Sequence, residues 1–346
     1  MKKIDYKSLS VSLILPTFNE AKNIYNLLVS LASIKDILIS EIIVVDDDSS
    51  DGTSEIVRDL HRKDNRIRLI SRVGRSGLAS AIKEGLLNSL GEIAVVMDSD
   101  GQHDPVTVNK AVKYLINKKY DLVIGSRFHK DANIYGLSSK RERGSKLANS
   151  AARFSLSKKY SYLTDYMSGF FVVKTDNLQK IIRKINVNGF KFLFELLALS
   201  NGNLRVGEVP LNFLKRDFGT SKLELPIIWD FLLSLLHSVC FRIIPRRAIS
   251  FGLVGLTGIF VQLIMNFLLM DLLFLDFKYS LPISVIIAAS SNYLINNALT
   301  FRFQRLVGFK LIIGLLKFLI VSSLPIIANV GLASTFYKIF DRNIIL

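Results

Sequence analysis

The chain reads as an α/β protein with an open sheet over residues 1–225. An amphipathic helix at a membrane interface follows over 226–245, and an α-helical transmembrane domain over 246–346. Three observations carry this division. Apolar runs at 13–15, 42–45 and 93–97 each end in a polar or acidic loop and alternate with helical patterns, the order expected of a parallel sheet. Three uncharged stretches, 249–270, 279–301 and 318–337, each supply the roughly 20 residues that a membrane-crossing helix needs. Half of the residues are hydrophobic and the mean hydropathy is +0.34, yet the net charge is +16. That pairing is unusual in a soluble domain and suits a membrane protein whose basic face meets anionic lipid.

Each element can be justified in turn. The first strand leads into Pro16-Thr17-Phe18-Asn19-Glu20 and then a helix over 21–34. There Ile24, Leu27, Leu28, Leu31 and Ile34 recur at helical spacing, with Asn19 or Glu20 as the cap. The second strand ends in Asp46-Asp47-Asp48-Ser49-Ser50-Asp51-Gly52-Thr53, and a second helix follows over 53–60. After a short strand at 67–70, Gly77-Leu78-Ala79-Ser80-Ala81 opens a helix whose small residues permit close approach, either to the sheet or to a ligand. Beyond 93–97 come a helix over 111–116 and a strand at 122–125 with Arg127 at its end. A tight turn at Ser168-Gly169 then enters a strand, a helix starts within 189–195, and an edge strand over 206–213 is broken by Pro210. No G-x-G-x-x-G follows the first strand, which disfavours a dinucleotide fold. Acidic strand ends suit a ribose hydroxyl, a base edge and a metal-bound diphosphate, at the rim where open α/β sheets bind ligands.

Lys140, Arg141, Arg143, Lys146, Arg153, Lys158 and Lys159, interleaved with Leu147, Ala151, Phe154 and Leu156, form a basic amphipathic helix over 140–159 of the kind that lies on membranes; a solvated charged face is the alternative. In 226–244 the polar residues Asp230, Ser234, His237, Ser238 and Arg242 recur at three- and four-residue steps, so this helix lies in the interface rather than crossing it. Arg246-Arg247 precede the first span and Arg302, Arg305 and Lys310 follow the second, whereas the intervening loop holds one Lys and two Asp. The positive-inside rule places the α/β domain in the cytoplasm of a multi-pass cell-membrane protein. With three spans the C-terminus lies outside, unless a fourth span is missing through truncation. A pI of 9.8 also admits a nucleic-acid binder, against which the single Trp and the apolar last third argue. Cys240 is the only cysteine, so an intrachain disulfide is excluded. Met1-Lys2-Lys3 could open a signal peptide, but the run at 11–15 is too short and lacks a cleavage site.

The stretch Asp98-Ser99-Asp100-Gly101-Gln102 closes the run at 93–97. In an extended chain Asp98 and Asp100 face the same way. Their repulsion is relieved by a divalent cation, and all-oxygen ligation with Gln102 alongside favours Mg2+ or Mn2+. A solvated turn after a strand is the competing reading.

Together, P-T-F-N-E, V-V-D-D-D-S-x-D-G-T, G-L-A-S-A, M-D-S-D-G-Q-H-D-P, G-S-R, S-G-F-F and R-x-x-G-x-S-K resemble the polyprenyl-phosphate glycosyltransferases of glycosyltransferase family 2, of the dolichol-phosphate mannose synthase type. The resemblance spans about residues 10–225. It implies a GT-A type nucleotide-sugar-binding sheet and inverting transfer of a hexose, first of all mannose from GDP-mannose, to a polyprenyl or dolichyl phosphate. It implies donor contacts at Pro16, Phe18, Glu20, Val45, Asp47, Asp98, Ser99, Asp100, Arg216 and Lys222, with a metal at Asp98, Asp100 and Gln102. Acceptor phosphate falls to Arg127, Arg141 and Ser145, and catalysis to Asp98, Asp100 and Arg127. Phe18 stands where the family commonly has Tyr, Glu142 and Gly144 loosen the acceptor motif, and Phe218 replaces the second arginine of the donor loop. A UDP-glucose or other UDP-sugar donor is the alternative. A processive polysaccharide synthase lacks support, because Ile227-Ile228 precede the sole Trp229 where Q-x-x-R-W is required. A non-enzymatic flippase-like module would explain the spans but not the D-x-D. Membrane lipid is an expected partner, nucleic acid is not, and a homo-oligomer stays open.

Overall fold

The computed structural model describes residues 6, 8–74, 77–133, 135, 139–185, 191–214, 225–240, 242–301, 304–323, 331–332 and 335, without the side chains of 139–141, 177 and 225–227. Two units are described, Met1–Val239 and Cys240–Leu346.

The first unit is built on one sheet of β1 (Ser10–Thr17), β2 (Leu38–Asp46), β3 (Ile67–Ser71), β4 (Ile93–Val96), β5 (Leu122–Ser126), β6 (Phe171–Lys174) and β7 (Val206–Pro210). The strand order is β3-β2-β1-β4-β6-β5-β7. All pairings are parallel except those of β6, which runs against both β4 and β5. Parallel strands buried on both faces read as unbroken apolar runs, which is why 13–16 and 42–45 carry no polar residue. Strand order reverses between β1 and β4, so the carboxyl ends of these two strands flank a crevice. The bond from Ser99 Oγ to the Pro16 carbonyl, 2.9 Å, ties the two ends together. As expected from Pro210, β7 is the edge strand.

Helices cover both faces. Val11, Leu13 and Leu15 of β1 pack with Ile24, Leu28 and Leu31 of α1 (Ala21–Ala32), Val57 of α2 (Thr53–His61) and Val108 and Val112 of α4 (Val106–Lys118). Ile14, one residue out of phase, packs on the opposite face with Ala81 and Ile82 of α3 (Leu78–Asn88). Gly85 of α3 lets the helix come down on the sheet: a Cβ there would lie 2.4 Å from Ile14 Cγ2 and 3.2 Å from Val45 Cγ2. That face is completed by α5 (Ser139–Ser155), α6 (Thr175–Lys184) and α7 (Phe192–Ser200), through Ala152, Leu178, Ile182, Phe194 and Leu197.

Most of 140–159 is helical, with α5 stopping at Ser155 and Lys158–Tyr160 forming a 3-10 turn. Asn149 and Ala152 are buried, while Leu147 and Phe154 are 74% and 88% exposed beside the basic residues. α8 (Leu225–Val239) is grouped with the first unit. Its polar stripe turns inward: Ser234 is buried, and Ser238 Oγ donates to the Ser155 carbonyl at 2.8 Å. Phe231 meets Phe194 edge to face, and Ile228, Leu232 and Val239 are left exposed.

In the second unit, α9 (Arg246–Phe267) continues as a π-turn through Leu272. α10 (Phe277–Ile295) is extended likewise to Thr300, and α11 covers Phe309–Val321. α9 and α10 are joined by polar contacts: Ser250 to Thr300 at 2.6 Å and Ser280 to Asn266 at 2.9 Å. Among the described residues one helix, Arg246–Leu272, is long and apolar enough to cross a membrane. The expected span at 279–301 is a helix that starts at Phe277, carries Asn292 within it and continues through Asn296 and Asn297 as a π-turn to Thr300. Of the expected span at 318–337, the first four residues close α11, and 324–330, 333–334 and 336–337 lie outside the described residues.

Candidate active site

The loops after β1 and β2 are knitted into one rim. Asp46 accepts hydrogen bonds from Ser49 N and Ser54 Oγ, at 3.1 and 2.8 Å, and so folds the acidic loop back on itself. Asn19, at positive φ, accepts Ser50 N through its Oδ1 at 3.0 Å and donates its own N–H to Ser49 Oγ at 2.8 Å. Asp51 accepts Ala21 N at 3.0 Å, capping α1 from across the rim. Of the expected donor residues, Asp47 is buried and Phe18 is 56% exposed at the mouth. Asp47 accepts Gly77 N at 2.7 Å, and Arg72, also buried, lies 3.2 Å from it. Burial raises the Asp47 carboxyl above its usual range, against the pull of the Gly77 N–H and Arg72.

β4 ends at Val96, and Asp98 to Gly101 lie in a turn rather than in an extension of the strand. The alternation argument for Asp98 and Asp100 therefore does not apply, and turn geometry replaces it. Asp100 Oδ1 accepts Gln102 N at 3.0 Å, and Gly101 takes positive φ. Asp98 is partly exposed, its N–H donates to His103 Nδ1 at 3.1 Å, and His103 Nε2 stands 3.7 Å from its carboxylate. A Cβ on Gly169 would lie 2.3 Å from Asp98 Oδ2, so glycine there makes room for the carboxylate. Gln102 is buried, its amide donates to the Leu214 carbonyl at 3.2 Å, and its own carbonyl accepts Leu214 N at 2.9 Å. Leu214 is thus pinned beside the D-x-D.

No cluster of three His, Cys, Asp or Glu side chains capable of holding a metal occurs among the described residues. Two rim carboxylates, one of them cradled against Gly169, fit a hard cation that completes its shell with water and phosphate oxygens.

Arg127, at the end of β5, is only 11% exposed and is bound by Asp165, which is fully buried. Arg127 Nε and Nη2 donate to Asp165 Oδ2 and Oδ1 at 2.7 and 2.9 Å, a bidentate pair. Burial alone would raise the Asp165 carboxyl, but the Arg127 charge and hydrogen bonds hold it below the usual carboxylate range. Asn149, one turn beyond Ser145 on α5, reaches the same group, its Nδ2 lying 3.5 Å from Asp165 Oδ1 and its Oδ1 accepting Tyr166 N at 2.7 Å. Lys191, which precedes α7, sends its Nζ to the Met167 carbonyl, 3.4 Å away. Burial, with Arg127 as a repelling neighbour, lowers its ammonium to about 8, while Asp98 and Asp165 oppose the shift.

The structure therefore brings Pro16, Asp98, Ser99, Asp100, Gln102 and Arg127 to adjoining strand ends. Arg216, Lys222 and the Arg141 side chain lie outside the described residues. Asp165, Asn149, His103 and Lys191 escaped the sequence reading. Asp165 stands just ahead of the S-G-F-F turn, which was its one visible signal.

A mixed sheet of this order with an acidic D-x-D at its switch point is that of a GT-A type glycosyltransferase. The chain belongs to glycosyltransferase family 2: residues 12–184 match the model of glycosyl transferase family 2. Residues 250–346 match the GtrA/DPMS transmembrane domain, which makes it a membrane protein. Similar proteins include a dolichol-phosphate mannosyltransferase of Pyrococcus furiosus, 34% identical over 254 residues, 73% of this chain and 70% of that one. Another of the same name from Saccharomyces cerevisiae is 32% identical over 252 residues, 70% of this chain and 92% of that one. Among solved structures, glucosyl-3-phosphoglycerate synthase of Mycobacterium tuberculosis, in complex with Mn2+, UDP-glucose and phosphoglyceric acid, shares the fold at TM-score 0.52 and 20% identity, over 67% of this chain and 80% of that one. Family membership overturns the non-enzymatic module.

Proposed function

We propose that this enzyme moves a hexose, in the first place mannose from GDP-mannose, from a nucleotide sugar to a polyprenyl phosphate such as dolichyl phosphate, with inversion, at the cytoplasmic face of a membrane. The observation that carries the reading is the coincidence in one chain of the family 2 domain and the GtrA/DPMS transmembrane domain. Relatives named dolichol-phosphate mannosyltransferase support it across most of the chain. Exposed Leu147 and Phe154 on α5 and Ile228, Leu232 and Val239 on α8 are apolar side chains suited to a bilayer surface. Arg246 and Arg247, the first residues of α9, support the cytoplasmic orientation. The proposal keeps a catalytic domain over 1–225, an interfacial amphipathic helix over 226–245 and a transmembrane domain of about three spans over 246–346.

A phosphomonoester acceptor has a second pKa of about 6, so at neutral pH it is largely a dianion and needs no strong base. Its oxygen attacks the anomeric carbon, and the bond from that carbon to the diphosphate oxygen breaks with its electron pair going to the leaving nucleoside diphosphate. Attack opposite the leaving group inverts the centre. What the protein must supply is position and compensation of charge. Asp98, Asp100 and Gln102 would hold Mg2+ or Mn2+, which when bound supplies Lewis-acid stabilisation of the diphosphate. Pro16, Phe18, Glu20, Val45, Asp47 and Ser99 take the nucleoside side, and Arg216 and Lys222 the diphosphate. Arg127, Arg141 and Ser145 take the acceptor phosphate. With Nε and Nη2 committed to Asp165, Arg127 has its Nη1 to offer.

The test supplies purified enzyme with Mn2+, labelled GDP-mannose or UDP-glucose, and either a polyprenyl phosphate or a free sugar. Label should enter an organic-extractable, acid-labile product with the lipid alone, and faster from GDP-mannose. Transfer to the free sugar with none to the lipid overturns the reading, and faster transfer from UDP-glucose moves the donor assignment to a UDP-sugar.

A further inference from the structure

Within the reaction proposed above, Lys191 has no assigned part, yet its position gives it one. We propose that Lys191 is a catalytic residue of the acceptor side, its ammonium contacting the phosphate that attacks the sugar. The proposal rests on the phosphate-acceptor reading and adds a group to it.

The placement follows from the local sequence. Phe192, Leu193 and Phe194 are all buried as α7 begins, so the first turn of the helix is fixed in the core. Lys191 stands immediately before them in extended conformation, and its Nζ reaches the Met167 carbonyl. Met167 opens the segment that passes through Ser168 and Gly169 into β6. Gly169 in that segment is the residue packed against the Asp98 carboxylate. Two residues before Met167 stands Asp165, the partner of Arg127. The Lys191 charge is accordingly felt by Asp98 at the end of β4, by Arg127 at the end of β5 and by Asp165 in the loop before β6. Three strand ends converge on it because β6 is inserted antiparallel between β4 and β5.

The chemistry calls for such a group. A dianionic acceptor has to approach a rim that already carries Asp98 and Asp100, with the buried Asp165 close by. Arg127 answers Asp165 with a bidentate pair, so much of its charge is balanced before any substrate arrives. A second cation on the same side offsets the remaining negative field. A lysine at the edge of the core suits this part better than one in water, because a poorly hydrated ammonium gains more from meeting a phosphate. Its pKa of about 8 leaves it mostly protonated at neutral pH. The competing account is structural: Lys191 merely ties the Met167 carbonyl to the start of α7.

Lys191→Met and Lys191→Arg, made in the full chain, separate the two. Lys191→Met should lower kcat/KM for polyprenyl phosphate about 100-fold, the order expected for loss of one charge-stabilising donor. Donor affinity should stay within about twofold and the melting temperature should not fall, while Lys191→Arg recovers part of the loss. A melting temperature that falls together with both substrates' affinities establishes the structural account, and wild-type acceptor kinetics in Lys191→Met overturn the proposal. A second arm serves if the wild-type enzyme transfers nothing to lipid: binding of inorganic phosphate in the presence of nucleoside diphosphate, read by thermal shift. Phosphate stabilisation seen in wild type and lost in Lys191→Met supports the role of Lys191 with a water-soluble phosphate acceptor. Equal stabilisation in both, or none in either, removes Lys191 from the site.

Discussion

Replacing Asp165 with asparagine keeps the shape of the side chain and removes its charge. Asp165 is wholly buried and its oxygens receive Arg127 Nε, Nη2 and backbone N at 2.7, 2.9 and 3.2 Å, and Met167 N at 3.1 Å. In Asp165→Asn one acceptor oxygen becomes a donor that faces other donors, and the guanidinium stays buried without a counter-charge. Breaking a buried pair in this way costs about 3–5 kcal/mol. For a unit of this size each kcal/mol lowers Tm by roughly 2–4 °C, so a fall of about 10 °C is expected. Because the folded carboxyl lies below its unfolded value of about 3.9, its contribution is complete above that pH and is lost as pH falls through the folded value. The gap between wild type and variant should hold constant from pH 8 to 5 and close only in stronger acid. The assay is thermal unfolding of the detergent-purified chain across pH. A combined Arg127→Met and Asp165→Leu protein, in which neither charge is left alone, should melt above Asp165→Asn. A Tm for Asp165→Asn within about 2 °C of wild type at pH 7 would refute the reasoning.

Gly169→Ala places a methyl 2.3 Å from Asp98 Oδ2 and should displace that carboxylate; the concentration of Mn2+ giving half-maximal transfer should rise and turnover should fall about 100-fold, with little change in Tm. Gly85→Ala drives a methyl to 2.4 Å from Ile14 Cγ2 and should cost about 1–3 kcal/mol by denaturant unfolding, part of which Ile14→Leu should return by removing that methyl.

Fold and site were legible to different depths. The runs ending at Asp46 and Met97 announced parallel strands because burial on both faces leaves no polar alternation, and Pro210 announced an edge. Nothing in FVVK says which way β6 runs; direction comes from its two neighbours, far away in sequence. For α6 the signal is Leu178, Ile181 and Ile182 at helical spacing. In the site, Arg127 stood out by its place at a strand end, but its partner lies 38 residues on and only folding reveals the pair. The D-x-D was recognised for a geometry that it does not have: turn hydrogen bonding at Asp100 and a glycine at 169 arrange the carboxylates, where strand alternation was expected. For α8, polar residues at four-residue steps signalled one face correctly, yet sequence periodicity does not say that this face turns toward α5.

The antiparallel insertion of β6 also sets the order in which the protein can mature. β4 pairs with β1 across about 80 residues of chain and with β6 across about another 80, so the central strand of the sheet has two distant neighbours. Contacts of such long range form slowly, since loop closure precedes any gain from pairing. During synthesis, 1–96 can assemble β1, β2, β3 and β4, but β4 then presents a bare apolar edge until β6 appears. This unpaired strand is the stage most exposed to aggregation. Asp165, Gly169 and Lys191 flank the strand that closes the gap, so sugar-transfer competence arises in the same event that seals the sheet, and a chain stalled before β6 carries the D-x-D without the groups that shape it.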